Sequence, residues 1–346
     1  MKHLLALLLM LPATALAQDP IAVADGPAAV EASQTAQRQP PPAPPPAEPE
    51  ARRRPSMVGY IGDSSISSKV RIRYDAGYGI NAADRAEFFY AKCGCYRTLP
   101  PTNAAYDPNA AGPGPGVLTN MNFGQLYLLA EYAGRSWFSA YAELPVRFLR
   151  PDTFAPGTGS FGPQNGLSDL RLGGKVGLVS RPERQVTAAL QVGVPTGDSR
   201  KGLGTGHGTI EPMLLYAERP TDRFAIEAQL GDVIPVGGSD GVPVTSDKKF
   251  SGAVVYYGVG PSYAVYRGPR LAIAPVVELV GWHVVSGYQT ANRVTAAGTN
   301  IVNLKVGARF LFQDTSSFYV GYGHALTTAV WYDDIVRFEY RVALGR

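Results

Sequence analysis

The sequence has no long apolar run after its first 17 residues, only two cysteines and little net charge. No later apolar stretch approaches the ~20 residues that a membrane-spanning helix needs, which excludes a helical membrane anchor. A net charge of +4 over 346 residues is too small to indicate a nucleic-acid partner. What the chain does have is 39 glycines and 19 tyrosines, a composition that favours strands and turns over a helical bundle.

The first 17 residues have the pattern of a secretory signal peptide. A short basic start at Lys2 and His3 precedes an apolar run over residues 4–11, and a small-x-small cleavage site ends at Ala17. No cysteine follows that site, which argues against a lipoprotein. We therefore predict an exported protein, and export also argues against a nucleic-acid partner.

Residues 18–55 are rich in proline, alanine and glutamine. Such a segment buries too little apolar surface to fold, and proline holds it extended at ~3.1 Å per residue. We predict a disordered periplasmic spacer; the alternative is a tether to peptidoglycan or another periplasmic partner, with Arg52, Arg53 and Arg54 as its charged end. A short semi-apolar segment over residues 56–68 follows, and the sequence leaves open whether it enters a barrel mouth.

Period-two alternation dominates the remaining chain, and residues 166–198 show it most clearly. Leu170, Leu172 and Val176 alternate with polar, charged or glycine positions, and after a tight turn a second segment alternates in the same way. This period is the signature of a strand with two unlike faces. The same pattern recurs downstream, with long polar loops between the segments. Two interpretations follow: the apolar faces pack together in the core of a soluble protein, or they contact lipid.

The connections between the predicted strands decide between these alternatives. Long loops and short turns alternate without a break along about twelve strands, which include residues 121–133, 136–148 and 249–266. Outer-membrane barrels have short periplasmic turns, long external loops and an even strand count. We therefore predict an all-β fold, a transmembrane antiparallel up-and-down β-barrel over residues 69–346, embedded in outer-membrane lipid with both chain ends on the periplasmic side.

The free-energy cost of placing a charge in lipid predicts which side chains point into the lumen and which point outward. A basic side chain at the middle of the bilayer on the lipid side costs roughly 2–4 kcal/mol, so the charged positions must point inward. The predicted lumen-lining residues are Arg71, Arg73, Asp75, Glu131, Glu143, Arg147, Asp169, Arg171, Lys175, Glu211, Glu227, Glu278, Lys305, Arg309, Arg337, Glu339 and Arg341. The predicted outward side chains include Leu128, Leu190, Leu230, Leu304 and Phe338.

Three motifs resemble one family of outer-membrane barrels. GLSDLRLGGKVGL, LQVGVPTGD and GLGTGHGTIEPMLLY are similar to the Gly-Leu-x-Asp strand, the Pro-Thr-Gly-Asp strand end and the Gly-x-Gly-Thr-Gly loop of the family named for the MetA pathway of phenol degradation. The close match covers residues 167–216. The resemblance implies a porin-like or transporter-like barrel linked to aromatic or hydrophobic compounds.

Candidate chemistry is sparse, and we predict no enzyme, no cofactor and no metal site. Cys93 and Cys95 lie in a predicted external loop, where oxidising surroundings favour a disulfide between them or links elsewhere. The glycine-rich run over residues 202–208 is not followed by a helix, so it does not match a phosphate-binding loop. His207, His283 and His324 lie near external strand ends without the neighbouring serine and carboxylate that a hydrolase needs.

The predicted lumen contains nine basic and eight acidic side chains, which can pair across the interior. The interior of an eight-stranded barrel is filled by side chains, whereas a sixteen-stranded barrel encloses a water-filled channel. For a twelve-stranded barrel we therefore predict a narrow path through the lumen. We predict an outer-membrane channel that passes small solutes, with aromatic or hydrophobic compounds as candidates. The alternative is a structural or adhesive barrel tethered to the envelope by its proline-rich start, whose inner charges only brace the interior.

Overall fold

A computed structural model describes residues 55–83, 92–238, 249–289, 295–313 and 315–344. The predicted signal peptide over residues 1–17 lies outside the described residues, as does the predicted spacer apart from Pro55. Among the residues that are described, no helix has the length and the apolar character needed to cross a membrane.

Within the described residues, fourteen β-strands form a single antiparallel sheet. They are β1 (Lys69–Ile80), β2 (Leu118–Arg135), β3 (Phe138–Phe154), β4 (Gln164–Leu167), β5 (Leu170–Ser180), β6 (Arg184–Val194), β7 (Gly208–Glu218), β8 (Phe224–Val236), β9 (Val254–Tyr263), β10 (Tyr266–Arg267), β11 (Leu271–Val284), β12 (Asn300–Phe312), β13 (Ser316–Ala325) and β14 (Asp334–Ala343). Two short 3-10 segments, Gly94–Thr98 and Ser199–Lys201, lie in the connections.

The sheet closes into a barrel of twelve strand positions. The pieces β4 and β5 both pair with β3, and β9 and β10 both pair with β11, so each couple fills one position. The last strand, β14, pairs with β1 from Lys69↔Ala343 to Tyr78↔Asp334, and this pairing closes the ring. The predicted fold, an all-β antiparallel barrel of about twelve strands, is confirmed.

Strand bounds differ from prediction mainly in the first hairpin of the wall. The predicted strands over residues 121–133 and 136–148 are longer in the structure, because β2 and β3 keep pairing until Leu118 lies opposite Phe154. The strand predicted to begin at residue 249 begins at Val254 instead. The wall therefore rises higher beside β2 and β3 than elsewhere.

In the described parts of the chain, the short turns lie at one end of the barrel and the long connections at the other. Residues 136–137, 181–183 and 219–223 are short turns, and the β1 start and β14 end lie at the same rim. The opposite rim has the connections over residues 155–163, 195–207 and 326–333, among others. We refer to these ends as the short-turn end and the long-loop end.

Apolar side chains cover the outer surface of the wall. Leu128, Leu190, Leu304 and Phe338 are exposed although they lie in the middle of regular strands, and Leu230 has 54% of its surface accessible. Soluble monomers rarely expose contiguous apolar patches on this scale, whereas a lipid-facing band requires them. The outer face of the barrel therefore fits a bilayer.

The Leu230→Arg variant tests this orientation directly. Leu230 lies midway along β8, so a guanidinium there would face the centre of the hydrocarbon and should destabilise the barrel by roughly 2–4 kcal/mol. Urea unfolding in phospholipid vesicles measures the difference. The matched control is Leu326→Arg, at a side chain of similar exposure (56%) beyond the end of β13, which should cost about 0–1 kcal/mol. Equal costs at both positions would contradict a membrane-facing outer wall.

Candidate functional site

Residues 55–68, which we call the lumen segment, lie inside the barrel. The carbonyl of Pro55 accepts a hydrogen bond from Arg219 in the turn after β7 (3.1 Å), and the carbonyl of Ser68 accepts one from the Leu344 amide (2.8 Å). Both partners belong to the short-turn end, so the segment enters and leaves the lumen there. Between these points Val58 and Ile61 are almost fully buried.

One carboxylate of β11, that of Glu278, binds three consecutive main-chain amides of the lumen segment. Its oxygens accept hydrogen bonds from the N–H groups of Gly59 (3.1 Å), Tyr60 (2.8 Å) and Ile61 (2.9 Å). The hydroxyl of Tyr319 donates a fourth bond at 3.1 Å. Glu278 is completely buried, and it takes part in none of the ion pairs found among the described residues. Its charge is therefore stabilised mainly by the N–H groups of the segment.

Other inner side chains bind the main chain of the segment in the same way. Carbonyl oxygens of the segment accept from arginines and a threonine, and its amides donate to a glutamate and a glutamine. The Oε1 atoms of Glu227 and Gln229 accept from the amides of Met57 (2.6 Å) and Gly62 (2.7 Å). The donors to carbonyl oxygens are Arg309 Nε to Met57 (2.8 Å), Arg337 Nη1 to Gly59 (2.6 Å) and Thr187 Oγ1 to Ser64 (2.7 Å).

Apolar contacts add to this binding. Val58 and Ile61 belong to a buried cluster with Val276, Val280 and Tyr319 of the wall. Removing such side chains from water contributes roughly 1.5–3 kcal/mol each when burial is complete. The segment is thus fixed by two apolar side chains and by a set of hydrogen bonds to its main chain.

Two inward-facing glycines of β9 make room for these side chains. A Cβ atom at Gly258 would lie 3.1 Å from Ile61 Cγ1, and one at Gly260 would lie 3.0 Å from Val58 Cγ1. Both distances are too short for ordinary packing. The wall of β9 is therefore shaped around the lumen segment.

Ion pairs lie on the inner face of the wall in two layers. Nearest the short-turn end, Lys69 lies 2.6 Å from Asp63 of the lumen segment and 3.2 Å from Glu131, which also pairs with Lys175 at 3.0 Å. Farther along, the pairs are Arg71–Glu143 (2.6 Å), Arg171–Glu143 (3.2 Å), Arg309–Glu339 (2.9 Å), Arg341–Glu339 (2.6 Å), Arg337–Asp75 (2.6 Å) and Arg73–Asp75 (3.6 Å). The pairs within the wall join residues of the same, adjacent or next-but-one strands, from β12 round through β1 to β5, and so brace this side of the barrel.

The seventeen side chains predicted to line the lumen all have inward contacts. Those outside the ion pairs bind neutral groups: Arg147 to Gln125 and the Gly202 carbonyl, Asp169 to Gly197 and Thr205, Glu211 to Gln191 and Thr209, Glu227 to Met57, Glu278 to the lumen segment, and Lys305 to the Tyr332 hydroxyl. Their role in lining a solute path stays a prediction.

The three motifs of the sequence meet around Asp169. Its carboxylate accepts from the Gly197 amide at 3.0 Å and from the Thr205 amide at 2.8 Å, and thereby joins the ends of the connection over residues 195–207. Gly204 packs so closely that an added Cβ atom would lie 2.3 Å from the carboxylate. Leu203 from the same connection is buried in the apolar cluster at the long-loop end. The motifs therefore build a structured loop that folds inward.

A cavity of about 280 Å³ lies in the half of the barrel next to the long-loop end. Charged and aromatic side chains share its lining, with Arg147, Arg171 and Glu211 beside Trp282 and Tyr332. On the wall of this cavity, burial lowers the pKa of the His207 imidazole, which favours its neutral form. Such a mixed lining can hold a small solute by charge and by ring contacts.

The two cysteines lie in the connection between β1 and β2. Cys93 is buried, Cys95 is half-buried, and Cys93 Sγ accepts a hydrogen bond from the Cys95 amide at 3.1 Å. The structure gives both as thiols, and the disulfide stays a prediction. Among the described residues no group of three or more potential metal ligands occurs.

The histidines near the long-loop end have different surroundings. His207 lies on the cavity wall, and His283 lies 2.7 Å from the Asn300 side chain on the exposed rim. His324 forms an exposed pair with Asp334 at 2.8 Å.

Comparison with known proteins shows similarity to solved outer-membrane barrels. No protein-family profile matches the chain. No curated protein matches it either. An outer-membrane channel from Pseudomonas putida F1 is similar at 14% identity over 81% of this chain and 96% of the other, with a TM-score of 0.48. The NanC porin is similar at 8% identity over 81% and 100%, with a TM-score of 0.43. The β domain of the Bordetella autotransporter BrkA is similar at 11% identity over 80% and 100%, with a TM-score of 0.47. These values identify neither a family nor a solute.

Sequence reasoning left open whether residues 56–68 enter the barrel, although inward positions of the wall carried a signal that they do. Gly258 and Gly260 leave gaps on the inner face of β9, and Val276 and Val280 place apolar side chains on the inner face of β11. A polar, water-filled lumen does not need small or apolar residues at these positions. Their presence indicates that a further segment packs against this part of the wall.

Proposed function

We propose that this protein is a channel-like barrel of the bacterial outer membrane that passes small solutes and is narrowed by its lumen segment. The observation that supports this proposal is the cavity of about 280 Å³ inside a closed barrel, with charged groups on its wall. The lumen segment lies between this cavity and the short-turn end. Solutes entering from the long-loop side would reach the cavity first and would pass farther only when the segment moves or leaves a gap beside it.

We propose aromatic or hydrophobic compounds as the solutes, together with membership of the barrel family whose motifs the sequence resembles. Trp282, Trp331 and Tyr332 present rings to the cavity, and Arg147 and Arg171 present guanidinium groups. A ring-bearing anion would find stacking surfaces and cations in the same space. The signal peptide over residues 1–17 would direct export, and residues 18–55 would act as the spacer.

The alternative is a structural or adhesive barrel held in the envelope by residues 18–55. The ion-pair layers favour it, because they brace the interior and fill space that an open pore would leave to water. Deletion of residues 18–55 separates the two functions. A channel should keep its flux after this deletion, whereas a tether should lose its association with peptidoglycan or with its periplasmic partner.

Solute flux into proteoliposomes tests the proposed channel. The mature chain should admit a small aromatic carboxylate faster than a sugar of equal size, because only the former matches both the rings and the cations of the cavity. Empty liposomes and liposomes containing heat-unfolded protein provide the baselines. Flux at the baseline for every solute, both with the intact chain and with a variant whose lumen segment is released, would contradict a channel.

A further inference from the structure

The main chain of the lumen segment supplies many of its contacts with the wall. From residue 57 to residue 64, inner side chains accept from five amides and donate to several carbonyls. Every peptide has these amides and carbonyls. Side chains of the segment add to this binding: Val58 and Ile61 are buried against the wall. The Asp63 carboxylate pairs with Lys69 and Arg341, and the Tyr60 ring lies beside Lys305 and Arg337.

We propose that this inner wall is a binding site for an extended peptide, and that the lumen segment is its resident occupant. Glu278 forms the centre of the site because its buried carboxylate matches three consecutive N–H groups. Arg309 and Arg337 supply donors for the carbonyls on either side. The ligand class that the site recognises is an extended peptide with aliphatic residues spaced as Val58 and Ile61, an aromatic ring at the place of Tyr60 and a carboxylate at the place of Asp63.

Because the lumen segment is covalently linked to the barrel, a free peptide should bind the intact protein poorly. The lumen segment joins β1 directly, and a short tether gives an effective concentration in the millimolar range. A free peptide at micromolar concentration therefore loses the competition by roughly a thousandfold. The site becomes available only when the segment is weakened or drawn out from the short-turn end, where it leaves the lumen.

The first test uses the full mature chain carrying Val58→Asp and Ile61→Asp. Both changes lie in the lumen segment and none in the wall, so the site itself stays intact. The probe is a fluorescent synthetic peptide with the native sequence of residues 55–68, and anisotropy in detergent measures its binding. We expect the probe to bind the variant at least about tenfold more tightly than it binds the native chain. Solute passage plays no part in this readout.

Two matched controls distinguish recognition of the peptide main chain from nonspecific binding of the probe. A probe methylated at the amide nitrogens of Tyr60 and Ile61 keeps every side chain but loses two donors to Glu278. It should bind about tenfold to a hundredfold more weakly. Adding Glu278→Gln to the variant protein should weaken the unmodified probe as well. Equal binding of the methylated and unmodified probes would overturn the proposal.

A second variant displaces the lumen segment by a different change, for the case in which the segment stays in the lumen of the first variant. A Cβ atom at Gly59 would lie 2.1 Å from the Tyr319 ring, so Gly59→Val should expel the segment by steric conflict. Cleavage of the released segment by added protease verifies the expulsion, and heat-dependent gel migration verifies that the barrel is folded. A folded barrel with a protease-sensitive segment that binds no probe would refute the site.

Discussion

Replacing Glu278 by leucine is expected to release the lumen segment and to convert a nearly closed barrel into a conducting one. The leucine leaves three buried amides without an acceptor, at a cost of about 1–3 kcal/mol each. A total of about 3 kcal/mol already changes the ratio of bound to released segment by roughly two orders of magnitude. Single-channel recording in planar bilayers should show larger and longer openings than the native protein gives.

The matched control for this experiment is Glu218→Leu. Glu218 pairs with Arg184 at the surface of the short-turn end, so its loss should leave the conductance unchanged. Protease cleavage within residues 55–68 provides a readout independent of current, since only a released segment is accessible. A Glu278→Leu barrel that stays protease-resistant and shows the same openings as the native protein would show that the carboxylate does not hold the segment.

The barrel itself was predictable because the sequence features that produce it repeat regularly along the chain. Apolar and polar residues alternate along each strand, and the lengths of the connections alternate around the ring, so both the wall and its two faces follow from the sequence. Parity alone placed Glu278, Arg309 and Arg337 inward, where they lie. What parity does not give is the partner of each charge, because partners come from strands far apart in the chain.

The contacts of the lumen segment were not predictable for a different reason. Many of them join main-chain groups to inner side chains, and main-chain groups are the same in every sequence. Likewise, the alternation over residues 166–198 does not show the interruption between β4 and β5. There Asp169 binds the connection over residues 195–207 instead of continuing the ladder.

Several of the inward-facing charged side chains also hold the lumen segment. A mixture of nine basic and eight acidic groups suggests either a selective path or a braced interior, and the structure gives several of them a third use. Arg337 binds Asp75 through two nitrogens and the Gly59 carbonyl through the third. The same side chain thus joins neighbouring strands of the wall and holds the lumen segment, so stability of the wall and closure of the lumen are coupled.

The Arg337→Met variant is expected to show this coupling as a large loss of stability. Removing the guanidinium leaves the Asp75 carboxylate buried with the more distant Arg73 as its remaining ion-pair partner among the described residues, and breaking a buried pair in this way costs about 3–5 kcal/mol. Urea unfolding in vesicles measures the loss. The control is Arg184→Met in the exposed pair with Glu218, which should cost about 0–1 kcal/mol.

The double variant Asp75→Asn with Arg337→Met separates the two functions of the arginine. Neutralising Asp75 removes the isolated charge, so most of the wall stability should return. The Gly59 carbonyl still lacks its donor, so the lumen segment should remain more accessible to protease than in the native protein. If the double variant recovered neither property, the pair would not be the cause of the loss. If it recovered both, Arg337 would serve the wall alone, and the segment would be held without it.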